Sequence, residues 1–147
     1  MVLDRSEFLT LRATPSSTLT ATETVDKVNL RDGKYNRAVF VVKATATLAD
    51  PADELGIIVQ TTYDNGTTWL DLTNTTLTNA HSTVAQTRVQ HVGRASASGL
   101  VTPTSDGSMT DNTVVAIPIG MALRVMTIKA GPSAASYTYS VTAWVTQ

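Results

Sequence analysis

Residues 61–72 read TTYDNGTTWLDL, and this run decides how the rest of the chain is read. Within it, Thr62-x-Asp64-x-Gly66-x-Thr68-Trp69 fits the Asp-box pattern S/T-x-D-x-G-x-T-W at every position. The residue types spell a hairpin. An aspartate accepts hydrogen bonds from the N–H groups of its own turn. A glycine supplies the positive φ such a turn needs. Trp69 is expected to lay its ring beside the hairpin, with Thr62 and Thr68 paired across it. The device sets backbone geometry and carries no chemistry of its own.

Outward from this hairpin the chain reads as strands. Residues 37–48, with AVFVVKATATL from Ala38, place Phe40, Val42, Ala44, Ala46 and Leu48 on one face at period 2. Asp50-Pro51-Ala52-Asp53-Glu54 breaks that run, and Leu55–Tyr63 is the next strand, followed by the hairpin turn and Thr67–Leu72. Residues 73–81, TNTTLTNAH, read as a polar loop. Ser82–Val92 alternates with Gln86, Arg88 and Gln90 on one side, the pattern of an edge or solvent-facing strand. Residues 93–112 read as a loop, with room for a short strand at Leu100-Val101. Thr113–Ile117, Ala122–Lys129 and Ser136–Val145 follow as strands. In the last, Tyr137, Tyr139, Val141, Ala143 and Val145 share a face opposite Trp144.

Toward the N-terminus, Leu19–Val25 alternates and is read as a strand reaching Leu30, with Asp32-Gly33 as a turn. Residues 1–17 are set off by Pro15-Ser16-Ser17 as a first strand or an extended arm. In an arm, Phe8, Leu9 and Leu11 are candidate subunit contacts. No helical periodicity lasts beyond two turns. The expectation is an all-β fold: a single antiparallel β-sandwich, jelly-roll or immunoglobulin-like, of about eight strands over residues 18–147. One Asp-box in 147 residues is too little for a propeller.

Composition agrees. The chain holds 26 Thr, and charged residues are 16% against roughly 25% in an ordinary soluble domain. Threonine is β-branched and suits a pleated, half-buried surface. The net charge is −1, and the 11 Lys and Arg form no cluster, so nucleic acid is not the expected partner. With no cysteine there is no disulfide and no thiolate metal site. The apolar runs are too short to span a bilayer, and the N-terminus lacks the apolar core of a signal peptide. Synthesis and folding in a cytosol are expected.

Candidate chemistry is sparse. His81 and His91 sit in no ligand spacing and read as solvated polar residues. Asp50, Asp53 and Glu54 lack the order of a calcium loop and read as a solvated turn. Ser96, Ser98 and Ser133 lie outside any nucleophile motif, and the glycines form no phosphate loop. Asn65-Gly66-Thr67 and Asn74-Thr75-Thr76 are formal glycosylation acceptors. Trp69 with Tyr63, and Trp144 with Tyr137 and Tyr139, read first as caps on the core and second as aromatic platforms for sugars. No catalytic residue, cofactor or metal site is expected, and the chain does not read as an enzyme.

The Asp-box resembles the motif of sialidases and of many secreted and viral β-proteins, where it lies away from any active site. More broadly, two segments resemble small β-sandwich virion proteins of tailed bacteriophages. One runs strand, acidic turn, strand, DNGTTW hairpin, strand, from Ala38 to Leu72. The other runs from Ile117 through IPIGMALRV to the Tyr-rich strand ending at Val145. The resemblance implies a structural protein of the virion, assembled in the host bacterial cytoplasm. It points first to a head decoration (capsid-stabilising) protein that binds the major capsid protein or other virion proteins as a homo-oligomer, with a trimer favoured. The alternative is a carbohydrate-binding β-sandwich module on a phage tail or cell surface.

Overall fold

A computed structural model describes residues 6–15, 17–31, 35–93, 104–105 and 107–147. Its strands are β1 (Ser6–Arg12), β2 (Glu23–Thr24), β3 (Val28–Asn29), β4 (Arg37–Thr47), β5 (Glu54–Thr62), β6 (Leu70–Thr78), β7 (Gln86–Val92), β8 (Ala122–Ala130) and β9 (Ser136–Thr146). They form two antiparallel sheets. Sheet 1 has the order β1-β9-β4-β7; sheet 2 has β2-β8-β5-β6, with β3 also on the β8 edge. The fold is the antiparallel β-sandwich that the alternation predicts.

The core lies between the sheets. Phe40, Val42, Ala44 and Ala46 of β4 and Tyr137, Tyr139, Val141, Ala143 and Val145 of β9 point inward from sheet 1. Leu55, Ile57 and Val59 of β5 with Leu123 and Val125 of β8 meet them from sheet 2. Burying each such side chain contributes about 1.5–3 kcal/mol.

Polar groups close both sides of the sandwich. On one, Arg12 grips Glu23 in a bidentate pair (2.9 and 3.1 Å), and the Tyr139 hydroxyl donates to the same carboxylate (2.7 Å). Burial works against charge on Glu23, but those partners outweigh it and hold its pKa below the ordinary value. On the other, the Thr75 hydroxyl donates to Gln90 Oε1 (3.0 Å), and Gln90 Nε2 donates to the Asn74 carbonyl (2.8 Å).

Of the two readings open for residues 1–17, residues 6–12 take that of a first strand, at the edge of sheet 1, with Leu9 and Leu11 buried in the core. Three other readings of the sequence are corrected. Residues 19–30 are not one strand. Leu19 bridges to Tyr137 in sheet 1 while Glu23 pairs with Thr127 in sheet 2, so the chain crosses between the sheets.

The polar run 73–78 is strand, not loop: β6 continues through it, and residues 73–77 are buried. Residues 113–117 make only an isolated bridge, Val114 to Thr73. They belong to a strap, 104–105 and 107–117, that lies along the edge of β6 and over the outer face of sheet 2. Asp71 N–H donates to the Thr104 carbonyl (3.0 Å), Asn74 N–H to that of Thr113 (3.0 Å), and Val115 N–H to that of Leu72 (2.9 Å). Asp32-Gly33, Ser96, Ser98 and Leu100-Val101 lie outside the described residues.

Candidate functional site

The Asp-box folds around Asp64. Thr68 N–H and the Thr62 hydroxyl each donate to Asp64 Oδ1 at 2.8 Å, and Thr62 Oγ1 accepts from Gly66 N–H (2.9 Å). Thr62 and Thr68 therefore meet on the carboxylate rather than on each other. Gly66 has φ +100 and Asn65 φ +58. Donation from Thr68, through its N–H and then its hydroxyl, lowers the Asp64 pKa to about 2. Lys27 clamps the turn from outside by donating to the Asn65 carbonyl (3.0 Å) and to Oδ1 (2.8 Å).

Trp69 is 7% exposed, and its indole N–H donates to the Gly66 carbonyl (3.0 Å). The guanidinium carbon of Arg124 lies 4.3 Å from the Trp69 ring centroid, a cation–π contact. Arg124 Nε donates to Gln60 Oε1 (2.7 Å), and Gln60 Nε2 donates to Asp71 Oδ1 (2.7 Å). Asp71 is fully buried and also accepts from Gly107 N–H (3.1 Å) and Met109 N–H (3.2 Å) of the strap. Asn74 Nδ2 donates to the Met109 carbonyl (3.0 Å), and the Thr76 hydroxyl to Asp111 Oδ1 (2.9 Å). One polar chain thus links the Asp-box to the strap. It explains much of the polarity of β6: Asp71 and Asn74 hold backbone groups of the strap, and Thr76 holds the Asp111 carboxylate.

Asp53 is buried rather than solvated. It accepts from Asp50 N–H (2.9 Å), Ser133 N–H (3.1 Å) and the Ser133 hydroxyl, and that hydroxyl is the main cause of its lowered pKa. His81 Nδ1 accepts from Thr78 N–H (3.1 Å), and its Nε2 lies 3.1 Å from Arg88 Nη2. His91 is exposed on β7. Asn74, a formal glycan acceptor, is buried and hydrogen-bonded. Among the described residues no group of three His, Cys, Asp or Glu is placed to hold a metal ion.

Sheet 1 differs from sheet 2 in that its outer face carries no strap among the described residues. Cross-strand register sets Phe8 beside Trp144, Trp144 beside Val39, and Val39 beside His91, one row across all four strands. The next row is Thr10, Thr142, Val41 and Val89. Phe8 is 69% exposed, Val89 64%, Trp144 56% and Val39 36%. Trp144 therefore does not cap the core with Tyr137 and Tyr139, which are buried on the opposite face of β9. The outward residues of the four strands include Arg37 and Lys43 and no carboxylate.

Of the three N-terminal candidates, the structure leaves Phe8 open and places Leu9 and Leu11 inside. Sequence reading missed this row because alternation shows that Val39 and Trp144 point away from the core, but not that register makes them neighbours. A signal was present: four large apolar side chains at outward positions.

No protein-family model and no curated protein matches the chain. Three solved structures of infectious bursal disease virus are similar to it. That of the Gx strain is 16% identical over 99% of this chain and 32% of its own, with a TM-score of 0.45. That of the Gt strain is 14% identical over 97% and 33%, with a TM-score of 0.47. The VP2 subviral particle is 19% identical over 97% and 33%, with a TM-score of 0.42. The chain spans about a third of the length of each.

Proposed function

We propose that this chain is a structural virion protein of a tailed bacteriophage, a head decoration protein that stabilises the capsid by binding coat subunits. The observation that carries the reading is the outer face of sheet 1, which no strap covers among the described residues, with its row Phe8–Trp144–Val39. Contiguous exposed apolar surface on a rigid sheet marks a docking site. An aromatic at the middle of such a patch is the usual energetic anchor. Arg37 and Lys43 on the same face call for a coat surface that is apolar in the middle and acidic around it. The likeness of residues 38–72 and 117–145 to phage virion proteins supports the same assignment. In this reading the chain transforms no substrate, and its place is the virion.

Cosedimentation of the purified chain with empty capsids of the phage that encodes it tests this. Trp144→Ser and Val39→Ser are expected to weaken binding at least about tenfold. Both should leave the fold intact and cost about 1–2 kcal/mol of urea stability, from the part of each side chain that the sheet covers. Full binding by both variants would refute the assignment.

Trp144 favours one second reading, a carbohydrate-binding module, because its exposed ring can stack on a pyranose. Glycan quenching of Trp144 fluorescence, in a chain that ignores capsids, would reverse the order.

A further inference from the structure

The geometry points to a two-fold dimer of this chain, built by antiparallel pairing of β1 with β1 of a second copy. The inference stands on the four sheet edges and is independent of coat binding. Exposed edges are templates for another strand, and proteins blunt them. Three edges here are blunted. That of β6 is taken by the strap, through the bridges Leu70–Ser105 and Thr73–Val114. The β2/β3 edge is cut into two pieces of two residues each. Strand β7 turns Gln86, Arg88 and Gln90 toward the inside, opposite Ala44, Val42 and Phe40, and inward charge discourages a further strand.

Strand β1 is the least blunted of the four: it turns one charge inward, Glu7, where β7 turns in a row of three polar side chains. Its pairing with β9 runs unbroken from Ser6 to Thr10 before the register shifts, and it contains no proline. Its outward side chains, Ser6, Phe8 and Thr10, are neutral and exposed. Its one carboxylate in that stretch, Glu7, is turned in and accepts from the Tyr35 hydroxyl (3.1 Å). Arg12 is drawn away onto Glu23. Among the described residues, no backbone group pairs with the edge of β1 that faces away from β9.

A second copy suits this edge because the edge is self-complementary. Antiparallel pairing of identical strands puts the two-fold axis normal to the sheet and keeps both outer faces on one side. Neutral residues then meet neutral residues, with Phe8 of each copy against Thr10 of the other, which sets the two Thr10 side chains diagonally across the axis. Arg37 and Lys43 stay strands away from the axis. A face-to-face dimer would instead bring these cations onto the same cations, so the edge is favoured over the face.

Pairing through β1 makes one eight-stranded sheet, in which the two Phe8–Trp144–Val39 rows adjoin across the axis. The symmetry is two-fold, where the resemblance to decoration proteins favours three-fold.

Sedimentation velocity from about 1 to 200 µM tests the dimer, since mass action must populate it with concentration. The expected result is a monomer–dimer equilibrium, with β1 amides that face away from β9 exchanging more slowly as concentration rises. Phe8→Lys should weaken the dimer at least about tenfold through like charges at the axis. Thr10→Lys and Thr10→Glu change an exposed residue; each alone should be monomeric, and their mixture should restore a dimer. Val89→Lys, on β7, should leave it unchanged. A monomer across the whole range, a trimer, a dimer indifferent to both Thr10 variants, or β1 exchange independent of concentration would overturn the proposal.

Discussion

Replacing Asp71 with alanine tests the central structural argument, that the polar residues of β6 hold the strap. Asp71 is fully buried and accepts three hydrogen bonds, from Gln60 Nε2 and from the N–H groups of Gly107 and Met109. Each buried donor left without a partner costs about 1–3 kcal/mol, so three set a gross range of roughly 3–9 kcal/mol. The upper part of that range is not reached, because the strap can lift and let water take up the Gly107 and Met109 donors. The expected loss is about 3–5 kcal/mol.

Asp71→Asn retains one acceptor oxygen. With that oxygen at the Oδ1 position it still serves Gln60 and Gly107, but it turns an NH2 group toward Met109 N–H. Its cost should be about 1–3 kcal/mol. Urea unfolding at neutral pH measures both, and hydrogen exchange at the Gly107 and Met109 amides reads the strap directly. In Asp71→Ala those two amides should exchange far faster than the β4 and β9 amides. A loss below about 1 kcal/mol, or undiminished protection at both amides, would refute the reasoning.

The acid limb of the stability curve should carry a signature of the Asp-box. The Asp64 pKa is lowered from 3.8 to about 2, so its contribution is complete above the unfolded value and is lost as pH falls from about 4 through 2. Stability measured against pH should fall across that window more steeply in the parent than in Asp64→Asn; parallel curves would contradict this. Gly131→Ala should destabilise by about 2–4 kcal/mol in thermal or urea melts, a backbone and overpacking cost. Its φ is +105, and a Cβ there would sit 2.3 Å from Asp53 Oδ1 and 2.5 Å from Asp53 Cα. The two tryptophans should separate in fluorescence: acrylamide should quench the parent and Trp69→Phe strongly and Trp144→Phe weakly. Trp69→Phe should also cost about 1–3 kcal/mol, through the lost indole hydrogen bond to Gly66 and a weaker stack on Arg124.

The strands with an unbroken period of two were legible from residues alone. Phe40 to Leu48 and Tyr137 to Val145 could bury one face only as strands, and β4, β5, β8 and β9 fall within a residue or two of where alternation sets them. The Asp-box turn was equally legible, because its donors and acceptor lie within seven residues of one another.

What the sequence could not show is what lies on the far side of each sheet. Residues 73–78 are polar, and polarity reads as solvent exposure until a strap from thirty residues further on covers them. Val39 and Trp144 are apolar and outward, and nothing local says that Phe8 completes their row. Side-chain alternation is a property of neighbours along the chain, so the sequence determined the strands and their inward faces. Register between strands and the cover over each face arise from contacts distant in sequence, so only the tertiary structure decided which polar run is buried and which apolar row is left open.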